Sequence, residues 1–149
     1  MELLCEKNWH FDIQHNQTHI KAPFYLAKPY DKLHIYFEYT PKTIADEALS
    51  KRIIEDTLGH YFPAEEVAAL DWRSFMPITN LLTLSLDFDK TYVGAAHRHP
   101  PKQHIEISGQ GSSAGFAPQA VGQGHWTATI SLHAISGPVT CRLRAMGEV

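Results

Sequence analysis

Alternation of apolar and polar residues is clearest in the last third of the chain. From Trp126 to Leu132 every second side chain is apolar, and the residues between them are Thr or Ser. This period of two is typical of a β-strand with one buried face and one solvent-exposed face. Gly137 and Pro138 then predict a turn, after which Val139 begins a second alternating run. The sequence therefore predicts an antiparallel pair of strands, joined by this turn, in one sheet.

Shorter alternating runs recur along the rest of the chain. The clearest are residues 33–40, rich in aromatic and β-branched side chains, and residues 82–87, with leucine at alternate positions. Proline cannot donate a ladder hydrogen bond, so Pro23 favours an edge strand or a bend for residues 19–26. Further short strands are predicted at 9–13, 92–96 and 104–108, and a long loop at 109–122.

The period changes to that of a helix after residue 43. Apolar residues recur at helical spacing from Ile44 to Leu58, with charged residues between them. Thr43 is the predicted N-cap because acidic residues follow it in the first turn, and Gly59 is the predicted end. A second, shorter helix is predicted from residue 63 to about residue 72.

Many short alternating strands with turn signals between them indicate an all-β fold. The predicted fold class is mainly β: an antiparallel, jelly-roll-like β-sandwich with a one- or two-helix insertion around residues 43–72. Residues 1–149 are expected to form one domain. The pattern leaves the order of the strands open. Six side chains are expected to share one dry layer between two sheets, with the imidazoles outside it: Ile35, Phe37, Leu82, Leu86, Trp126 and Ile130.

Composition narrows the classes of partner. The chain has 44% hydrophobic and 19% charged residues, the balance of a folded globular protein. Its formal net charge of −3 and scattered basic residues disfavour nucleic acid and anionic membranes. Neither a signal peptide nor a long apolar run is present, so the cytoplasm is predicted. In that compartment Cys5 and Cys141 are expected as free thiols, with Cys141 at a core position.

Ten histidines are the compositional oddity of the chain. His97 and His99 would share a face of a strand, and a turn at the following prolines could return His104 beside them. Three imidazoles with an open position for water would suit zinc. The alternative is a solvated polar loop, which is favoured because no carboxylate or cysteine sits at a supporting spacing.

Two further candidate ligand sites come from polar and aromatic residues. Arg98 and Lys102, together with the glycine-rich residues 109–113, would suit an anion, although such a loop is more often a plain connection. Tyr36 lies on the polar side of its predicted strand and would suit a stacked sugar ring. The alternative there is that a helix of the insertion packs over the same face.

A resemblance to a known family rests on the aromatic strand at residues 34–41 and on four short segments. They are the leucine strand ending at Asp87, Gly-Ala-Ala-His-Arg at 94–98, Gly-Phe-Ala-Pro at 115–118, and Gly-His-Trp at 124–126. This arrangement resembles the non-catalytic β-sandwich domain that precedes the catalytic barrel in some bacterial metallohydrolases of the PHP (polymerase and histidinol phosphatase) class. The barrel should open with a His-x-His strand at about Ala145, whereas the sequence ends at Val149. The resemblance therefore implies a fold and an accessory role, and does not extend to the metal chemistry.

Two functions from different classes follow as hypotheses. The first is a non-enzymatic module that binds a protein or a small ligand and has no cofactor. One option is that it works with a separately encoded PHP hydrolase. The second is a metal-dependent hydrolase with zinc held by His97, His99 and His104. An edge strand at residues 19–26 would also allow a homodimer.

Overall fold

The computed structural model describes residues 1–96 and 100–149, which contain ten β-strands, two α-helices and two 3₁₀ turns. The strands are β1 Glu2–Phe11, β2 Thr18–Leu26, β3 Lys32–Thr40, β4 Thr43–Ile44, β5 Ile78–Thr79, β6 Leu81–Phe88, β7 Thr91–Ala95, β8 Lys102–Ile107, β9 Gly124–Ala134 and β10 Val139–Glu148. The helices are α1 Glu47–Gly59 and α2 Ala64–Ala69, and the 3₁₀ turns are Ile13–His15 and Trp72–Phe75.

Eight of the strands form two antiparallel sheets of four strands each. The first sheet has the order β1-β10-β3-β8 and the second has the order β2-β9-β6-β7. Strands that follow one another in sequence mostly lie in opposite sheets, which is the jelly-roll arrangement. The predicted β-sandwich with a helical insertion is thus confirmed, and β2 lies at a sheet edge as Pro23 indicated.

One apolar cluster fills the space between the sheets. It contains the six side chains predicted to meet there, and Trp126, Leu82 and Ile35 among them are fully buried. Trp126 stacks on Phe88 with 4.4 Å between ring centroids, and its indole N–H donates to the Gly122 carbonyl at 3.3 Å. The alternation read from the sequence therefore separates core from surface correctly in the main strands.

The predicted pairing of the last two long strands is wrong. β9 lies between β2 and β6, whereas β10 lies between β1 and β3 in the other sheet. Residues 135–138 cross from one sheet to the other, and their backbone is satisfied by side chains: the Ile135 and Ser136 N–H groups donate to Asn16 Oδ1 and Asn80 Oδ1, both at 2.8 Å. A crossing lets both strands turn their apolar faces towards the same core.

The helical insertion packs beside that crossing. A Cβ atom at Gly137 would lie 2.8 Å from Ile44 Cδ1 and 3.4 Å from Ile53 Cδ1 of α1, so a larger residue would require these side-chain ends to shift. Thr43 is not the N-cap, because it pairs with Thr79 in a two-stranded ribbon. The cap is Asp46, whose carboxylate accepts from the Leu49 N–H at 2.9 Å.

Asn80 ties the insertion to the sandwich. Its side chain is fully buried, with Nδ2 donating to the Pro41 carbonyl at 3.0 Å and Oδ1 accepting from the Ser136 N–H. Its own N–H donates to the Lys42 carbonyl at 2.8 Å. One amide side chain thus joins both ends of the insertion to the β9–β10 crossing.

The substitution Asn80→Ala should lower the free energy of unfolding by about 2–4 kcal/mol, because it leaves buried backbone groups without partners. Urea denaturation would measure the loss. Asn8→Ala, at an exposed position of β1, is the matched control and should change stability by less than about 0.5 kcal/mol. Equal effects of the two substitutions would contradict the role assigned to Asn80.

Both cysteines are free thiols. The two cysteines lie on the neighbouring strands β1 and β10 but do not face each other. Cys5 pairs with Ala145, which is four positions beyond Cys141 on β10. Burial raises the pKa of the Cys141 thiol to about 12. A thiol in that state is a core residue and a poor nucleophile.

Among the residues that the structure describes, no helix has the length and apolar character needed to cross a bilayer.

Tyr30 closes one end of the first sheet. Its ring lies over Gly147, where a Cβ atom would come within 2.5 Å of Tyr30 Cδ1. Its hydroxyl donates to Glu2 Oε2 at 2.5 Å. This hydrogen bond lowers the pKa of the Glu2 carboxyl and raises the pKa of the Tyr30 hydroxyl.

Removing that hydroxyl by Tyr30→Phe should cost stability only in a window of pH. The folded-state pKa of Glu2 is below its ordinary value of 4.5, so its contribution is present above pH 4.5 and is lost as the pH falls through the folded pKa. The folded-state pKa of Tyr30 is above 10.0, so its contribution is present below pH 10.0 and is lost as the pH rises through the folded pKa. The stability difference from wild type, measured by denaturation across pH, should therefore be largest near neutrality. The substitution of exposed Tyr61 by Phe should give a small, flat difference, and the same flat profile for Tyr30→Phe would contradict the hydrogen bond.

Candidate functional site

The outer face of the first sheet carries a group of polar side chains that contact one another. The ladder places outward residues of β10, β3 and β8 directly opposite one another in three transverse rows. From one end of the strands to the other, the rows are Arg142–Glu38–Lys102, Arg144–Tyr36–His104 and Met146–His34–Glu106. Neighbours in such rows are close enough for their side chains to interact.

The middle row is a stack of planar groups. Arg144 Cζ lies 5.0 Å from the centre of the Tyr36 ring, and the His104 ring stacks on Tyr36 with 4.4 Å between centroids and 7° between planes. Because β10 and β8 flank β3, the guanidinium and the imidazole cover opposite faces of the phenol ring. The stack holds the three side chains against one another.

A histidine pair connects the middle row to the next row. His34 Nδ1 and His104 Nε2 are 2.8 Å apart, a hydrogen-bond distance. The carboxylate of Glu106 approaches the same His34 nitrogen at 3.7 Å. His34 is only 5% exposed, so the interaction between its imidazole and its neighbours is shielded from water.

Glu148 fixes the orientation of His34. Its Oε2 lies 2.9 Å from His34 Nε2, and this hydrogen bond lowers the pKa of the Glu148 carboxyl. An ionised carboxylate only accepts hydrogen bonds, which assigns a proton to Nε2 of His34. In the neutral imidazole the lone pair is then on Nδ1, on the side of His104 and Glu106.

A solvent-open groove of about 260 Å³ lies beside the stack. Strands β3, β8 and β10 line it through Tyr36, Phe37, Glu38, Lys102, Gln103, His104, Arg142 and Arg144. Three of these side chains are cations and one is an anion. Arg142 donates to Glu6 Oε1 at 2.9 Å, whereas Arg144 and Lys102 make no ion pair with any residue in the described ranges 1–96 and 100–149. The groove thus presents positive charge that no described residue neutralises through an ion pair.

The structure brings together some of the predicted site residues. Tyr36, Lys102 and His104 line the same groove. His97, Arg98 and His99 lie outside the described residues, so the zinc site and the anion site predicted with them stay predictions. The face around Tyr36 is lined by strands, while the helical insertion packs at Gly137. The Arg144 guanidinium and the His104 ring lie against the Tyr36 ring, so a sugar would have to displace one of them to stack there.

The glycine-rich loop after β8 binds mainly to its own strand. The Glu106 N–H donates to Ser113 Oγ at 2.8 Å, and the Ser113 N–H donates back to the Glu106 carbonyl at 2.9 Å. The Ser108 hydroxyl donates to the Gly111 carbonyl at 2.7 Å. These bonds satisfy backbone groups at the edge of β8, which explains why serine and glycine occupy the segment.

Sequence reasoning missed His34, Glu106, Glu148 and Arg144. The expectation that His104 lacks a carboxylate at a supporting spacing is wrong, because Glu106 follows it by two positions on the same face of β8. That spacing on a strand was a usable signal. The hydrogen bond between His34 and His104 left no signal in the sequence, because it depends on β3 pairing with β8 across 70 positions.

Comparisons with known proteins add no functional information. No protein-family model and no curated protein matches the chain. Among solved structures, the chain is similar to the crystal structure of GEBA250068378 from Sulfurospirillum deleyianum. The two are 8% identical with a TM-score of 0.34, over 93% of this chain and 96% of that one. A likeness at this level supports no conclusion about fold or function.

The contact between Arg144 and Tyr36 should be measurable as a coupling energy. In a double-mutant cycle of Arg144→Met and Tyr36→Leu, we expect a coupling of about 0.5–1 kcal/mol from the cation–π contact at a half-exposed site. Denaturant unfolding of the four proteins gives the value. The same cycle built with Arg142→Met should give a smaller coupling, because that guanidinium binds Glu6. Equal couplings in the two cycles would show that the stack contributes nothing specific.

Proposed function

We propose that this protein is a non-catalytic binding module that holds a small anionic ligand on the outer face of its first sheet. The observation that carries the proposal is the Arg144–Tyr36–His104 stack beside the open groove. It holds a guanidinium in place at the groove wall without an ion pair to any described residue. A guanidinium held in this way can bind a carboxylate or a phosphate with two parallel hydrogen bonds.

The charge of the groove supports an anion over a neutral or cationic ligand. Lys102 lies in the neighbouring row, opposite Glu38, and adds a second cation at the same opening. The Tyr36 hydroxyl adds a neutral donor between them. A cluster of this kind favours a ligand with several oxygen acceptors.

An accessory role fits the resemblance to the sandwich domain of PHP-class hydrolases. On this proposal the module works in the cytoplasm of a bacterium, beside a PHP catalytic domain whose substrate it helps to hold. The exposed edge of β2 would be available for a homodimer.

A metal-dependent hydrolase with zinc held by His97, His99 and His104 remains the second candidate function. The observation in its favour is that His104 lies on the solvent-open outer face and has two potential ligand groups beside it, His34 and Glu106. Hydrolysis would also require a substrate position next to the ion, for which the groove is the natural place.

Binding is testable with two simple anions on chelator-treated, metal-free protein. Inorganic phosphate and benzoate should each be titrated against ¹⁵N-labelled full chain, with amide chemical shifts as the readout. We expect at least one of them to shift the amides of residues 36, 104 and 144 together. Arg144→Gln and Lys102→Gln should each weaken that binding about tenfold, the loss expected for a charge-assisted hydrogen bond.

Lys51→Gln is the matched control, since Lys51 is an exposed cation on α1 away from the groove. It should leave the dissociation constant unchanged. If neither anion shifts these amides, or if all three substitutions have the same effect, the proposed anion site is wrong.

A further inference from the structure

His34, His104 and Glu106 form a second cluster, which shares only His104 with the anion groove. One nitrogen of each imidazole and one carboxylate oxygen all lie within 4.8 Å of one another. They come from neighbouring strands, His34 on β3 and the other two on β8, so the sheet itself fixes their spacing. His34 is 5% exposed although it faces away from the apolar core, and its neighbours on that face include His104, Glu148 and Met146.

We propose that these three side chains bind a zinc ion. Two imidazoles and one carboxylate form a ligand set that zinc takes when it keeps a fourth position open for water or a ligand. His34 is buried, whereas His104 is exposed and Glu106 is half exposed, so the open position faces solvent. This inference goes beyond the anion-binding function and does not depend on it.

The observed distances are close to those that coordination requires. Two ligands about 2.0–2.1 Å from a tetrahedral zinc ion lie about 3.3 Å from each other. His34 Nδ1 is 2.8 Å from His104 Nε2 and 3.7 Å from Glu106 Oε1. An ion bound between these atoms therefore requires changes of about half an ångström in those two distances, and the third pair, His104 and Glu106, lies within 4.8 Å.

The surroundings orient the ligands as metal sites do. Glu148 accepts from His34 Nε2 at 2.9 Å, which turns the lone pair of Nδ1 towards the cluster. A carboxylate behind a ligating histidine holds the ring and raises its basicity. Lys32 lies 3.8 Å from Glu106 Oε2, which leaves Oε1 on the side of His34. Tyr36 stacks on the His104 ring and limits its rotation.

Zinc alone is the probe for the test. Chelator-treated full chain should be titrated with zinc sulfate against a chromophoric competitor, and with cobalt chloride to record the absorption bands of tetrahedral Co²⁺. We expect one ion per chain. His104→Gln and Glu106→Gln should each weaken zinc binding by at least about a hundredfold and abolish the cobalt bands. Glu148→Gln should weaken it about ten- to a hundredfold while keeping one ion per chain, the loss typical of an outer partner of a ligand.

His133→Gln is the matched control. His133 is an exposed histidine on β9, in the other sheet, where its ring lies 2.7 Å from Thr83 Oγ1. Its replacement should change neither affinity nor stoichiometry. Thermal melts of every variant check that it folds. Because Glu106 is at the surface, Glu106→Gln should remain folded and decides the test even if a histidine variant unfolds. Absence of stoichiometric zinc, or zinc binding that survives either His104→Gln or Glu106→Gln, overturns the proposal. The anion titration uses metal-free protein, so each proposal can fail while the other stands.

Discussion

Burial of one face of each sheet against the other is the constraint on which the rest of this protein depends. Fully buried side chains from both sheets, including Trp126, Leu82 and Ile35, share one apolar cluster. Each fully buried side chain of this size contributes about 1.5–3 kcal/mol relative to exposure. A strand that slipped by one residue would turn its apolar set to water, so the register of the eight strands is strongly determined.

That register also determines the outer face. Once Ile35 and Phe37 point into the core, Tyr36 must point out, and its neighbours across the ladder are Arg144 and His104. The same alternation places His34 beside Glu106 one row further on. The candidate site is therefore a consequence of the core: its geometry is held by packing on the opposite side of the sheet. A site on paired strands is more rigid than one on loops.

The fold could be predicted from sequence as far as local pattern determines it. Period-two alternation located the main strands, and the change to a helical period located the insertion. The pattern could not decide which strands pair, because a strand with one dry face fits either sheet of a sandwich. The turn at Gly137 and Pro138 therefore suggested a hairpin, although the N–H groups of the two residues before it donate to Asn16 and Asn80, far away in the sequence. The same limit applies to the site. The alternation identified Tyr36 and His104 as solvent-facing positions. It did not identify the contact between His34 and His104, because that contact exists only through the pairing of β3 with β8.

The histidine pair connects the two proposals in one physical argument. Enclosing His34 in polar neighbours costs desolvation, which its hydrogen bonds to Glu148 and His104 offset. An apolar pair at the same places could pack without that cost, so stability alone does not explain the choice of residues. A zinc ion would compete with the hydrogen bond between the two imidazoles for the lone pair on Nδ1 of His34. The ion would add positive charge at His104, which also lines the anion groove. A metal-loaded cluster would therefore strengthen binding of an anion next to it, and a carboxylate or phosphate oxygen could take the open coordination position.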